Sequence, residues 1–184
     1  KTVAAGMTLT AINGTKLDAT TNMFALLDGK AGERTRLTFK PEDGEAFDIV
    51  VKPTSLRDEA DMMYDRWVES RRKLVEELSG GRLGYVHVPR MADNVYRSVY
   101  RDMFGRYMNA EALVVDTRNN RGGDLTNDLI KLLDGKQYMT NMPRGRKAQG
   151  EPLTQWTKPS IVLMNEGNYS DGHCFPAGFA ALGM

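Results

Sequence analysis

From residue 83 onward, short apolar runs alternate with segments of helical period, and this alternation restricts the fold more than any other feature. Leu83-Gly84-Tyr85-Val86-His87-Val88, Ala112-Leu113-Val114-Val115-Asp116 and Ile161-Val162-Leu163-Met164 have the length and residue types of buried strands. Between them, Asp93 caps an expected helix whose buried side carries Val95, Tyr96, Val99, Tyr100, Met103, Phe104 and Tyr107, and Leu125 to Leu133 supplies another. Strands that alternate with helices must be joined by crossovers, which predicts an α/β fold with a parallel sheet. Ahead of this core, Ala60, Met63, Tyr64, Trp67, Leu74, Val75 and Leu78 recur at helical spacing up to Gly80-Gly81, and the stripe reads as core packing.

The chain divides near Pro53, giving regions 1–53 and 54–184. In the first, Met7 to Ile12 alternates like a strand and ends at Asn13-Gly14. Thr20 or Thr21 caps a short helix with Met23, Phe24, Leu26 and Leu27, and Gly29 stops it. Arg34–Phe39 and Ala46–Val51 form a hairpin around Pro41-Glu42-Asp43-Gly44. The order is β-α-β-β.

Composition mainly excludes. A net charge of +1 on 184 residues provides no electrostatic attraction to nucleic acid or a membrane surface, and no apolar run is long enough to span a bilayer. Cys174 is single, and no cysteine or histidine cluster has metal-ligand spacing, so neither a metal nor another cofactor is expected. Gln137 to Lys158 is polar and irregular, and Arg144-Gly145-Arg146-Lys147 within it reads as a solvated loop.

Two strand ends carry the chemistry. Asn165-Glu166-Gly167-Asn168-Tyr169-Ser170-Asp171-Gly172 follows the Ile161 run and precedes a small-residue helical segment. A serine on such a strand-to-helix turn stands where a substrate can reach it, beside unpaired backbone amides able to hold an oxyanion. Ser170 or Asp171 also reads as an ordinary helix cap. The second strand end, Thr117-Arg118-Asn119-Asn120-Arg121-Gly122-Gly123-Asp124, has paired glycines that allow unusual φ values and a close ligand approach, or simply form a turn.

Together the two segments resemble the S41 family of serine peptidases, the C-terminal-processing and tricorn-like proteases. Asp116 to Gly123 is similar to that family's D-x-R-x-N-x-G-G loop, and Asn165-Glu166 with Ser170-Asp171-Gly172 is similar to the nucleophile turn of its tricorn-like branch. The resemblance implies a partial PDZ-like module over 1–53, lacking an evident opening strand, followed by an incomplete spiral α/β core of the Clp protease and crotonase type over 54–184. It implies nucleophilic attack by Ser170 on a peptide carbonyl, with the amides of Gly123 and Asp171 as oxyanion donors. Arg118 and Asn120 hold the loop in shape, and Asp116 reads as a polar strand end. The expected substrate is a peptide or unfolded protein, a homo-oligomer is allowed, and a periplasmic or otherwise extracytoplasmic location is favoured over the cytoplasm.

Serine needs a general base, and neither histidine suits the role. His87 reads as structural, and His173 is poorly directed for its distance from Ser170 along the helix. The resemblance puts the base outside these residues, so the chain is expected to be part of a serine peptidase and inactive by itself. Pro176 falls inside the expected last helix, which must therefore start late or kink. A non-catalytic peptide-binding or scaffold member of the same fold is the main alternative, and an acyl-thioester enzyme of the crotonase type is the second.

Overall fold

The computed structural model describes residues 2–146 and 148–184. It separates into two compact units, Lys1–Arg66 and Trp67–Met184.

In the first unit, strands β1 (Thr8–Ile12), β2 (Thr15–Lys16), β3 (Thr35–Lys40) and β4 (Phe47–Val51) form an antiparallel sheet of order β2-β1-β3-β4. The Asn13-Gly14 turn works as its composition predicts. Both residues have positive φ, 48° and 86°, which suits a two-residue hairpin, and Ile12 pairs with Thr15 across it. The Asn13 side chain also accepts the Arg36 amide at 2.9 Å, tying the turn to β3. Helix α1 (Met23–Leu27) begins later than expected. Asn22 is its cap, because the Thr20 and Thr21 hydroxyls are already donated to Asp18.

Helix α2 (Leu56–Ser79) starts on a reciprocal cap, in which the Ser55 hydroxyl accepts the Asp58 amide at 3.1 Å and donates to the Asp58 carboxylate at 2.8 Å. It ends where Gly80 and Gly81 turn left-handed and the Gly81 amide returns to the Glu76 carbonyl. Its apolar stripe is not the buried core face that the spacing suggests. Met63 is 66% and Leu78 79% exposed, and the half-buried side of its second half runs through Trp67, Val68, Arg71, Arg72 and Val75. Arginine stems cover apolar surface while their heads stay polar, so a periodic count of apolar residues misplaces that face.

The second unit is built on parallel strands β5 (Leu83–His87), β6 (Ala112–Asp116) and β9 (Ser160–Leu163), in the order β5-β6-β9. Register sets Val86 and Val88 with Leu113 and Val115 on one face. There they meet Val95 and Val99 of α3 (Asp93–Arg101), Leu129 and Leu132 of α4 (Thr126–Leu133), and Phe175 and Phe179 of α5 (Asp171–Ala181). Phe175 is fully buried, and covering such a side chain contributes about 1.5–3 kcal/mol. A π-helical turn (Asp102–Arg106) continues α3, keeping Met103 in the core. The segment read as irregular contains a hairpin, β7 (Met139–Asn141) with β8 (Gln149–Glu151). Arg144 and Arg146 are exposed in its loop, and Lys147 lies outside the described residues. Since β6 and β9 are parallel neighbours, their C-terminal ends emerge side by side, which brings the glycine loop to the serine turn.

Candidate active site

The loop after β6 is anchored by a buried charge. Asp116 is 0% exposed, and its carboxylate accepts from the Arg118 side chain at 2.9 and 2.6 Å, from the Arg118 amide at 3.0 Å and from the Tyr85 hydroxyl at 2.7 Å. Burial pushes this carboxyl up, but the hydrogen bonds from Arg118 and Tyr85 outweigh it and hold the group below its ordinary range. The Arg118 guanidinium lies 5.1 Å from the centre of the Trp67 ring, and Trp67 meets His87 edge-on at 5.6 Å. His87 Nδ1 donates to the Asp116 carbonyl at 2.8 Å, and burial depresses the basicity of the ring. Asp116 is thus more than the polar strand end its position suggests: it is the ionic anchor of the loop.

Asn120, completely buried, sets the shape of the next residues. Its amide nitrogen donates to the Val88 carbonyl at 2.6 Å, its side-chain oxygen accepts the Gly122 amide at 2.8 Å, and its own carbonyl accepts the Tyr169 amide at 2.9 Å. One residue therefore joins β5, the glycine loop and the serine turn. Gly122 and Gly123 have φ of 76° and 139°, conformations that side chains resist. A side chain on Gly122 would begin 2.9 Å from Ser170 Cβ, and one on Gly123 would collide with the Met91 backbone. Gly123 is bridged to Met91 through the Gly122 carbonyl and the Asp124 amide, so its own N–H takes no part in that pairing.

The serine turn is held by asparagines. Asn165 accepts the Asn119 and Gly167 amides at 2.8 and 3.2 Å and donates to the Asn119 side chain at 3.0 Å. Asn168 donates to the Thr117 hydroxyl at 2.9 Å and to the Gly172 carbonyl at 2.8 Å. The second bond resolves the difficulty posed by Pro176. The helix does not start late: Pro176 lies inside α5, where it cannot donate to Gly172, and Asn168 occupies the carbonyl left over.

Ser170 occupies the N-cap position of α5 with φ 52° and ψ −126°, a backbone state that costs a non-glycine residue on the order of 1–3 kcal/mol. It makes no side-chain cap. The Asp171 carboxylate, in contrast, reaches across to α4 and accepts the amides of Leu125 at 2.7 Å and Thr126 at 3.0 Å. The fold thus brings Ser170, Gly122, Gly123 and Asp171 into one neighbourhood. It gives Gly122 the direct contact with Ser170, a part not legible in a bare pair of glycines. His87 is engaged by β6 and Trp67, and His173 is exposed, its amide donating to the Ser170 carbonyl. Among the described residues no group of histidine, cysteine or acidic side chains is placed to hold a metal. No helix is long and apolar enough to cross a membrane, among the described residues. A cavity of about 510 Å³ bordered by Phe104, Leu153 and Trp156 includes no residue of the glycine loop or serine turn.

Comparison with known proteins agrees with this architecture. Residues 82–183 match peptidase family S41, and residues 2–56 match the tricorn protease PDZ domain. Tricorn protease homolog 1 of Streptomyces coelicolor is 37% identical over 183 residues, covering 99% of this chain and 17% of that protein. Tricorn protease of Thermoplasma acidophilum is 31% identical over 173 residues, covering 94% of this chain and 16% of the other. The crystal structure of the tricorn protease superposes with a TM-score of 0.76 at 28% identity, over 97% of this chain and 17% of that one. The chain therefore spans about a sixth of the length of these relatives.

Proposed function

Because the chain belongs to peptidase family S41, we propose that it carries the nucleophile and the oxyanion hole of a serine peptidase. The observation supporting this most directly is the strained backbone of Ser170, held without a cap bond against Gly122 at the start of a helix. A cap residue gains nothing from that conformation, whereas a nucleophile gains exposure. Ser170 Oγ attacks the carbonyl carbon of a peptide bond while a base takes its proton, and the carbonyl oxygen becomes an oxyanion held by the amides of Gly123 and Asp171. Collapse expels the amine, which receives the proton, and leaves an acyl-enzyme that water hydrolyses. Each oxyanion donor contributes about 2.7–4 kcal/mol to lowering the barrier.

The base is supplied from outside these 184 residues. His87 already donates to β6, and His173 is exposed. The isolated chain accordingly turns over no peptide, while the longer polypeptide containing it hydrolyses peptides or unfolded proteins. The test is turnover of a peptide library by that longer protein and by its Ser170→Ala variant, with labelling by a serine-directed phosphonate. Turnover and labelling that both disappear in the variant support the assignment. Activity unchanged in the variant removes Ser170 from the mechanism, and peptide binding without turnover favours a non-catalytic role.

A further inference from the structure

We propose that Asp171 serves the reaction through its carboxylate as well as its amide, as the positioning residue that fixes the two oxyanion donors relative to each other. This rests on the reading of Ser170 as nucleophile. Helix α4 begins just after the glycine loop, and its cap position is Leu125, whose side chain has nothing to offer the first amides. The carboxylate of Asp171, from the first turn of α5, supplies the acceptor at 2.7 Å to Leu125 and 3.0 Å to Thr126. The Thr126 hydroxyl returns a bond to the Asp171 carbonyl at 3.2 Å. One residue, Asp124, separates Gly123 from Leu125, so the path from one oxyanion amide to the other runs through Asp124, Leu125 and a single side chain.

The arrangement also directs charge. A carboxylate beside a developing oxyanion would oppose it, but here both amides of α4 draw the carboxylate toward a helix N-terminus, where negative charge is favoured. In the proposed arrangement the amide of Asp171 is kept for the oxyanion. The sequence explains why an aspartate rather than a serine stands here: only a carboxylate can receive two amides without also presenting a donor.

Loss of the carboxylate should therefore weaken transition-state binding more than substrate binding. In the longer protein, Asp171→Ala is expected to lower kcat, per site titrated with phosphonate, by roughly 30- to 100-fold, with KM changed by less than about threefold. Asp171→Asn, which keeps one acceptor oxygen, should fall between it and wild type. Inhibition by a peptide aldehyde, whose hemiacetal oxyanion fills the same hole, should weaken in step with kcat, while affinity for a product peptide stays constant. Should the alanine variant not fold, the asparagine variant decides by the same aldehyde-to-product comparison. If either variant merely reduces the number of titratable sites, with kcat per site and aldehyde affinity unchanged, the carboxylate is only structural and the proposal fails. Wild-type turnover that survives Ser170→Ala would overturn the nucleophile assignment and this proposal together, whereas a Ser170-dependent wild type with indifferent Asp171 variants overturns this proposal alone.

Discussion

Replacing Asn120 with alanine should destabilise the second unit more than any conservative change on its surface, and the size follows from the bonds lost. The side chain is 0% exposed and satisfies two main-chain groups, the Val88 carbonyl at 2.6 Å and the Gly122 amide at 2.8 Å. Neither group gains water when the side chain is removed, so each carries its own desolvation penalty of about 1–3 kcal/mol, or about 2–6 kcal/mol together. A domain of this size is stable by about 5–15 kcal/mol, so the variant should be marginal rather than unfolded at low temperature. Asn120→Asp separates the two bonds: it retains an acceptor for Gly122 but sets a carboxylate oxygen against the Val88 carbonyl, which has no proton to give. Urea unfolding followed by the fluorescence of Trp67 and Trp156, both in this unit, measures the loss. Alanine should lower the midpoint without changing its slope. A loss below about 0.5 kcal/mol, the size typical of an ordinary surface substitution, would refute the claim that Asn120 is the pin between β5 and the glycine loop.

Asn168→Ala should cost about 1–3 kcal/mol by stranding the Gly172 carbonyl, and much less in a Pro176→Ala background, where the new amide can donate to Gly172; a double-mutant cycle in urea checks this coupling. Gly122→Ala introduces a methyl 2.9 Å from Ser170 Cβ at a φ of 76°, and it should abolish phosphonate labelling of Ser170 in the longer protein while leaving most of the circular dichroism signal intact. Burial lowers the His87 pKa, so the unfolded chain takes up that proton first: stability is full above about pH 6.5, falls as pH drops below it and levels off beneath the depressed folded value, and His87→Gln should remove this step from a series of unfolding midpoints. The Asp116 carboxyl is held below its ordinary range, so its contribution is present above about pH 3.9 and disappears as acid passes its depressed folded value, a second step that Arg118→Ala should shift toward neutral pH.

The parts of the fold legible in the sequence are those governed by local chemistry. Ala112–Asp116 is a strand because four residues without a charge before the aspartate suit burial between two neighbours, and Asn13-Gly14 is a turn because both positions tolerate positive φ. The buried side of α3 could be read for the same reason, with Val95 and Val99 one turn apart and both buried. What escaped reading depends on partners distant in sequence. The half-buried side of α2 includes arginines, the β7–β8 hairpin is too short to show a period, and Pro176 is tolerated only because Asn168 completes the bond it cannot make. At the site, Ser170 stood out by its setting between a strand and a helix. The carboxylate bond from Asp171 to α4 joins positions 45 and 46 residues apart, and no spacing rule signals it.

One regularity separates this site from a side-chain constellation. Asn120, Asn165, Asn168 and Asp171 each bind backbone amides or carbonyls, Asn165 and Asn168 also reaching the Asn119 and Thr117 side chains, and Asp116 spends its carboxylate on shaping the loop. Groups used in this way are not available to exchange protons with a substrate, which fits the proposed reading of an oxyanion hole around Ser170 with proton transfer left to a partner elsewhere. On that reading the main chain of residues 118–123 and 168–172 is the reactive surface. Substitutions that preserve its dihedral angles should be tolerated irrespective of charge, and those that alter them should not. Arg121, exposed in the same loop with its amide bonded to the Pro89 carbonyl, tests this directly. Arg121→Gln should keep turnover of an uncharged peptide within about twofold of wild type, whereas Arg121→Pro removes that amide and fixes φ, and should lower kcat by at least the roughly 10²-fold expected from a misplaced donor. Equal loss in both variants would show that the Arg121 charge, and not the path of the backbone, is what the reaction requires.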